Sequence, residues 1–135
     1  MEFSWVRTIH FGDTDAAGVV YFAHYLRICH DAYEEALAAA GIDLGRFFAD
    51  TGSIVPISKS EVDYLRPLRT GDQVSVAVSP RRLSDSSFEL RFELTRLGPP
   101  RKRVATARTE HVCIRSDTRE RLALPPALAQ WVDGA

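Results

Sequence analysis

Apolar and polar positions alternate with a period of two over residues 3–11, FSWVRTIHF. Phe3, Trp5, Ile9 and Phe11 fall on one face, and Arg7 is the exception. That spacing predicts a strand. The turn GDTDAAG follows, and from Phe22 the period changes. Phe22, Tyr25, Leu26, Cys29, Tyr33, Ala36, Leu37 and Ala40 recur three and four residues apart, while His24, Arg27, His30, Asp31, Glu34 and Glu35 lie mostly off the stripe. The pattern predicts one long amphipathic helix that stops at Gly41. Residues 43–50 read as a short helical turn with Asp43 as N-cap. Period two then returns in residues 54–65, with Pro56 marking an edge or bulge. It continues in 73–83, in 87–97 and in 102–115. RPLRTGD and GPP supply turns, and PPALAQWV closes the chain as a short helix with proline in its first turn.

The order is strand, long helix, then four strands joined by short loops. Short loops between successive strands imply antiparallel pairing. One sheet face needs cover, and one long helix is available to supply it. The expected fold is α+β, a curved antiparallel sheet wrapped around a central helix, with residues 1–135 forming one domain. The other sheet face is only partly polar, so a partner subunit is expected over it.

Composition narrows the function classes. The 135 residues suit one domain and are too few for a dinucleotide-binding pair or a TIM barrel. The 17 basic and 18 acidic residues nearly cancel, which argues against bulk electrostatic binding of nucleic acid. Cys29 and Cys113 have neither disulfide-framework nor zinc spacing and predict buried, reduced thiols in a cytoplasmic protein. No apolar run is long enough to predict a membrane span, and the first residues lack a signal-peptide pattern. GxSxG, P-loop and HExxH patterns are missing, so no cofactor or metal is expected.

The chemistry-bearing stretch is FGDTDAAGVVYFAHY. Gly18, Ala16 and Ala17 let the backbone turn tightly before the helix. The first N–H groups of a helix have no intrahelical acceptor and sit at the positive end of its dipole. A carbonyl oxygen docked there would gain charge where donors already wait, and losing one such donor costs roughly 3–4 kcal/mol of transition-state stabilisation. Asp15 lies a few residues upstream, where a carboxylate can attack a carbonyl or activate water. The residues alone equally permit Asp13 and Asp15 to be turn and helix caps.

From Asp13 to Tyr25 the stretch resembles, without a gap, the hallmark segment of the 4-hydroxybenzoyl-CoA thioesterase family, whose fold is the hotdog. DYLRPLRTGD and the order of elements fit as well, so the resemblance spans nearly the whole chain. It implies hydrolysis of an acyl-CoA thioester. Asp15 would be the nucleophile or general base, and the Phe22 backbone N–H would polarise the thioester carbonyl. Gly18 would allow the acyl group to approach, with Val19, Tyr21 and Tyr25 beside it. Asp13 is assigned a structural role. The resemblance also implies a homotetramer, a dimer of hotdog dimers.

RICHDAYE and EHVCI are similar to the 1,4-dihydroxy-2-naphthoyl-CoA hydrolases that serve phylloquinone and menaquinone synthesis in cyanobacteria. His30 stands where 4-hydroxybenzoyl-CoA members carry an aspartate near the substrate's phenol, and a histidine there suits a naphthol hydroxyl. A 4-hydroxybenzoyl-CoA or broad-range thioesterase is the alternative within the family. A non-catalytic acyl-CoA-binding hotdog protein is the alternative outside it, and would need no acid at position 15. Some thioesterases of this fold place the acid on the central helix, which makes Glu34 or Glu35 the fallback. His111 and Cys113 are expected to pack rather than react. The CoA phosphates would draw on Lys59, Arg66, Arg69, Arg81, Arg82, Arg101, Lys102 or Arg103.

Overall fold

The computed structural model describes residues 3–134; Met1, Glu2 and Ala135, included in the expected domain, lie outside the described residues. The chain runs β1 (Phe3–Thr8), a 3-10 turn (Phe11–Asp13), α1 (His24–Ala39), α2 (Leu44–Phe47), β2 (Ser53–Ile54), β3 (Ile57–Tyr64) and β4 (Gln73–Arg82). β5 (Ser87–Arg96), β6 (Lys102–Val112), β7 (Ile114–Arg115) and α3 (Pro126–Gly134) complete it. Five strands form one sheet in the order β1-β4-β5-β6-β3, and β2 pairs with β7 in a small second sheet. Every strand pair is antiparallel. The sheet closes around α1 in the hotdog arrangement.

The alternation dictates which side is buried. Val74, Val76 and Val78 on β4 and Phe88, Leu90, Phe92 and Leu94 on β5 point inward and are buried. They meet the stripe of α1, which consists of Tyr25, Ile28, Cys29, Ala32, Tyr33, Ala36 and Leu37. Each large apolar side chain so buried stabilises the fold by roughly 1.5–3 kcal/mol. The stripe is cleaner than the spacing predicts because α1 starts at His24, not Phe22. Ile28 and Ala32 join it, while Phe22 and Ala40 fall outside.

At the far end of α1 the expected stop holds. Gly41 has φ +85°, its N–H donates to Ala38 C=O at 3.0 Å, and the Ile42 N–H reaches Leu37 C=O at 3.0 Å. This is a Schellman close, which needs a residue at ease with positive φ. Asp43 caps α2 by accepting the Arg46 N–H at 3.0 Å.

Three expected strands are shorter than their periodicity. The first ends at Thr8, because Asp13 Oδ2 accepts the His10 N–H at 2.8 Å and turns the chain. Phe11, expected on the buried face, is therefore exposed. The strand expected over 54–65 splits into β2 and β3 around Pro56, which has no N–H for a ladder. The strand expected over 102–115 breaks at Cys113, whose N–H donates to Ser86 C=O and whose carbonyl accepts from Leu122.

The outer face of the sheet is laced with charge. Glu89 on β5 is fully buried there beneath Arg81, Arg91 and Arg108, with contacts of 3.2, 2.8 and 3.2 Å. Burial alone would raise its pKa, but the hydrogen bonds and charges of Arg81 and Arg91 prevail and hold it at about 2. Arg108 also binds Glu110 at 2.6 Å.

Candidate active site

Residues 13–23 form a small hairpin at the N-terminal end of α1. Its turn is Asp15 to Gly18: the Gly18 N–H donates to Asp15 C=O at 3.0 Å, and the Asp15 N–H donates to Val19 C=O at 2.9 Å. Gly18 has φ +82°, the left-handed position that such a turn with its bulge requires. A Cβ there would meet no atom within 4 Å, so backbone conformation rather than crowding demands glycine. One arm bridges Thr14 to Val20. The other is tied by the Tyr21 N–H to Asp13 C=O at 3.0 Å and by the Val20 N–H to the carbonyl of buried Leu68 at 2.9 Å.

The two acids of the hairpin are held differently. Asp13 Oδ2 accepts from Arg7 at 2.9 Å and from the His10 N–H. Although burial pushes its pKa up, these donors pull it below the usual carboxylate value. Asp13 is thereby occupied in fixing the hairpin to β1. Arg7, the exception in the first strand's alternation, is its partner. Asp15 is exposed; Oδ1 accepts the Ala17 N–H at 2.9 Å, and among the described residues nothing holds Oδ2.

Phe22 lies on the arm opposite Asp15, one residue past the Tyr21–Asp13 tie. The Tyr21 and Phe22 carbonyls accept from His24 and Tyr25 three residues on, so the chain enters α1 through a tight turn. Among the described residues no acceptor takes the Phe22 N–H. The Phe22 side chain is 61% exposed. The hairpin thus brings an acid with a spare oxygen and an unpaired N–H onto neighbouring arms.

The other residues singled out from sequence separate into groups. Val19 is half-buried and Tyr21 exposed, with the Tyr21 ring edge-on to Phe22 at 4.8 Å between centroids. Tyr25 is buried and meets Tyr64 edge-on at 5.0 Å. His30 is about two turns along α1 from the hairpin. It is half-exposed, bonded through Nδ1 to Glu34 at 2.8 Å and packed near Tyr33 and Phe48. Glu34 is thereby engaged, and Glu35 is exposed.

His111 is buried and stacked on Phe88, with Nε2 on Thr109 at 2.7 Å. Burial, helped by nearby His30, lowers its pKa to about 4 and keeps it neutral. Both cysteines are free and buried, and burial pushes Cys29 up to about 12. Neither is poised as a thiolate.

Among the basic residues, Arg81 is engaged by Glu89, Arg82 by Asp133 and Arg103 by Glu93. Arg66 and Arg69 flank Leu68, whose carbonyl anchors the hairpin. Among the described residues, no three of His, Cys, Asp and Glu gather as metal ligands, and no helix is long and apolar enough to cross a membrane.

A concavity of about 940 Å³ lies at the opposite end of α1. Ala36, Ile42, Phe47 and Trp131 are among its lining residues, and no sequence-selected site residue is. The hairpin itself sits on an open surface of the single chain.

Sequence periodicity does not reveal Tyr64. Its hydroxyl donates to the Phe22 carbonyl at 3.0 Å across 42 residues. The only hint is its place in DYLRPLRTGD.

Known proteins sharpen the picture. The profile of the thioesterase-like superfamily matches residues 9–132. A 1,4-dihydroxy-2-naphthoyl-CoA hydrolase of Thermosynechococcus vestitus is 48% identical over 129 residues, covering 96% of this chain and 87% of that one. The enzyme of the same name from Synechococcus elongatus is 46% identical over 132 residues, covering 97% and 95%. Among solved structures, a 1,4-dihydroxy-2-naphthoyl-CoA thioesterase from Synechocystis superposes with a TM-score of 0.93 at 28% identity, covering 98% of this chain and 96% of that one. A 4-hydroxybenzoyl-CoA thioesterase variant complexed with 4-hydroxybenzoyl-CoA shares the fold, with a TM-score of 0.84 at 18% identity, covering 97% and 98%. With its hotdog architecture and near-complete match, the chain belongs to the thioesterase-like superfamily.

Proposed function

We propose that this protein hydrolyses 1,4-dihydroxy-2-naphthoyl-CoA to 1,4-dihydroxy-2-naphthoate and CoA. The observation that carries the chemistry is that one hairpin holds both Asp15, with its unheld Oδ2, and the unpaired Phe22 N–H. The substrate choice is supported by relatives of that name at 40–48% identity over nearly the whole chain.

The thioester carbonyl oxygen takes the Phe22 N–H, where the negative charge of the tetrahedral intermediate develops. Asp15 either takes a proton from the attacking water or attacks the carbonyl carbon itself to give an acyl anhydride that water opens. In both routes the C–S bond breaks, the CoA sulfur leaves as thiolate and takes a proton, and the carboxylate product carries one water oxygen. Gly18, Val19 and Tyr21 border the acyl group, with Tyr25 behind them. His30, whose Nδ1 is tied to Glu34, offers Nε2 to a ring hydroxyl. Arg66 and Arg69, on the loop that anchors the hairpin, meet the CoA phosphates.

The site faces open solvent in one chain, and a second copy closes it. β3 is a sheet edge whose residues are all exposed except half-buried Val62. Exposed Tyr64 and Leu65 continue this edge towards Phe22. Unprotected edges of this kind pair with another strand. Pairing of β3 with β3 of a second copy, and of two such dimers, gives the homotetramer. The free, buried thiols suit the reducing cytoplasm.

Free-thiol release tests the assignment, with 1,4-dihydroxy-2-naphthoyl-CoA, 4-hydroxybenzoyl-CoA and a medium-chain acyl-CoA compared side by side. A tenfold or greater preference in kcat/KM for the naphthoyl thioester is expected. Preference for either other substrate overturns the substrate and keeps the thioesterase. No release from any of them leaves an acyl-CoA-binding protein.

A further inference from the structure

Phe22 has an unusual combination of features: its backbone carries the proposed oxyanion donor, yet its side chain is 61% exposed and packs nothing into the core. Something else must hold its backbone still. On the upstream side, the Tyr21 N–H is fixed by Asp13 C=O at 3.0 Å and the Tyr21 carbonyl by the His24 N–H at 2.9 Å. On the downstream side, the helix offers little. The Tyr25 N–H approaches the Phe22 carbonyl only at 3.4 Å, a long and weak contact, and Ala23 supplies no side-chain cap. The close partner of that carbonyl is the Tyr64 hydroxyl at 3.0 Å.

Tyr64 is well placed to act as a rigid strut. Its backbone is locked in the sheet, where it pairs with Ala105 of β6. Its ring stands edge-on against buried Tyr25, at 5.0 Å and 90°. The core therefore fixes the ring, and the ring fixes the Phe22 carbonyl. The Phe22 N–H shares its peptide plane with the Tyr21 carbonyl, and the Tyr64 bond holds the next plane, so the backbone at Phe22 is fixed on both sides of the N–H.

We propose that Tyr64 is a positioning residue for the reaction: by holding the peptide plane that follows Phe22, it keeps the Phe22 N–H from swinging out of line. The inference rests on the oxyanion role given to that N–H above. Its effect belongs to the transition state, because the donor matters most when the carbonyl oxygen becomes an anion. Tyr64 acts on the backbone and not on substrate, so ground-state binding is indifferent to its hydroxyl.

Tyr64→Phe removes only the hydroxyl. The ring stays against Tyr25, and the freed carbonyl lies at the surface, where water donates to it. The melting temperature should move by no more than about 3 °C. The test is kcat and KM of Tyr64→Phe beside wild type and Asp15→Asn, on whichever of the three thioesters the wild type cleaves best. The expected result is a five- to thirtyfold fall in kcat with KM within twofold. A kcat within twofold of wild type overturns the inference, and so does a loss that appears in KM alone, which makes Tyr64 a substrate contact. Tyr64→Gln keeps a donor and Tyr64→Leu does not; equal kcat in these two also overturns it. Inactive wild type, or Asp15→Asn near full activity, instead overturns the proposed chemistry itself.

Discussion

Glu89 on the outer sheet face and Asp15 on the hairpin are both carboxylates, and their surroundings are opposites. Glu89 is fully buried with three arginines around it, and both oxygens are taken. Its pKa is held at about 2, so it is an anion at any physiological pH. Asp15 is exposed, with one backbone donor on one oxygen. The acid with the strongly lowered pKa is thus the structural one. Saturation by positive charge lowers a pKa but removes reactivity, whereas an acid that does chemistry needs a free oxygen beside an electrophile's landing point. Asp13 stands between them: it shares the hairpin with Asp15 but is occupied, like Glu89, by an arginine.

The contrast breaks first at Asp15. Asp15→Asn should lower thioester hydrolysis by at least about 10²-fold at unchanged melting temperature. A loss below tenfold gives the chemistry to another group.

Glu89→Gln should do the reverse, with destabilisation of about 2–3 kcal/mol in urea unfolding and full activity per folded molecule. The same site should show in acid. Because the folded pKa of Glu89 lies below its ordinary 4.5, the unfolded chain binds more protons between pH about 4.5 and 2. Its contribution is complete above pH 4.5 and is lost as pH falls towards 2. Wild type should lose stability across that window more steeply than Glu89→Gln. The decline from about pH 6.5 to 4 that neutral, buried His111 causes should be common to both.

Asp13→Asn should give the smallest effect: about 1 kcal/mol of stability from the weakened Arg7 pair, and an activity loss of a few-fold as the hairpin loosens. An activity loss as deep as that of Asp15→Asn would erase the distinction between the two acids.

Much of this was legible in the sequence, for definite reasons. The alternation in SFELRFELTRL placed Phe88, Leu90, Phe92 and Leu94 inward, and the structure buries all four. Gly41 and Asp43 were readable as a helix stop and a helix start because capping is local. Phe11 misled because its apolar character fits the strand's face, but the Asp13–His10 bond turns the chain first. The same alternation puts Glu89 on the opposite face and carries no sign of its burial. Its burial comes from Arg81, Arg91 and Arg108, which the pairing of β4, β5 and β6 brings over it.

The periodicities, the caps, the turn at Gly18 and the stretch in which Asp15 and Phe22 sit are written in local order along the chain. These depend on neighbours a few residues apart, whose geometry the backbone imposes. Which acid is left open, which is saturated and which tyrosine reaches the Phe22 carbonyl follow from contacts made across the fold. Tyr64 and Phe22 are 42 residues apart, and Arg108 and Glu89 are 19 apart. No local spacing encodes such pairs. They exist because the strands must register side by side to satisfy their backbone hydrogen bonds while the apolar faces close on α1.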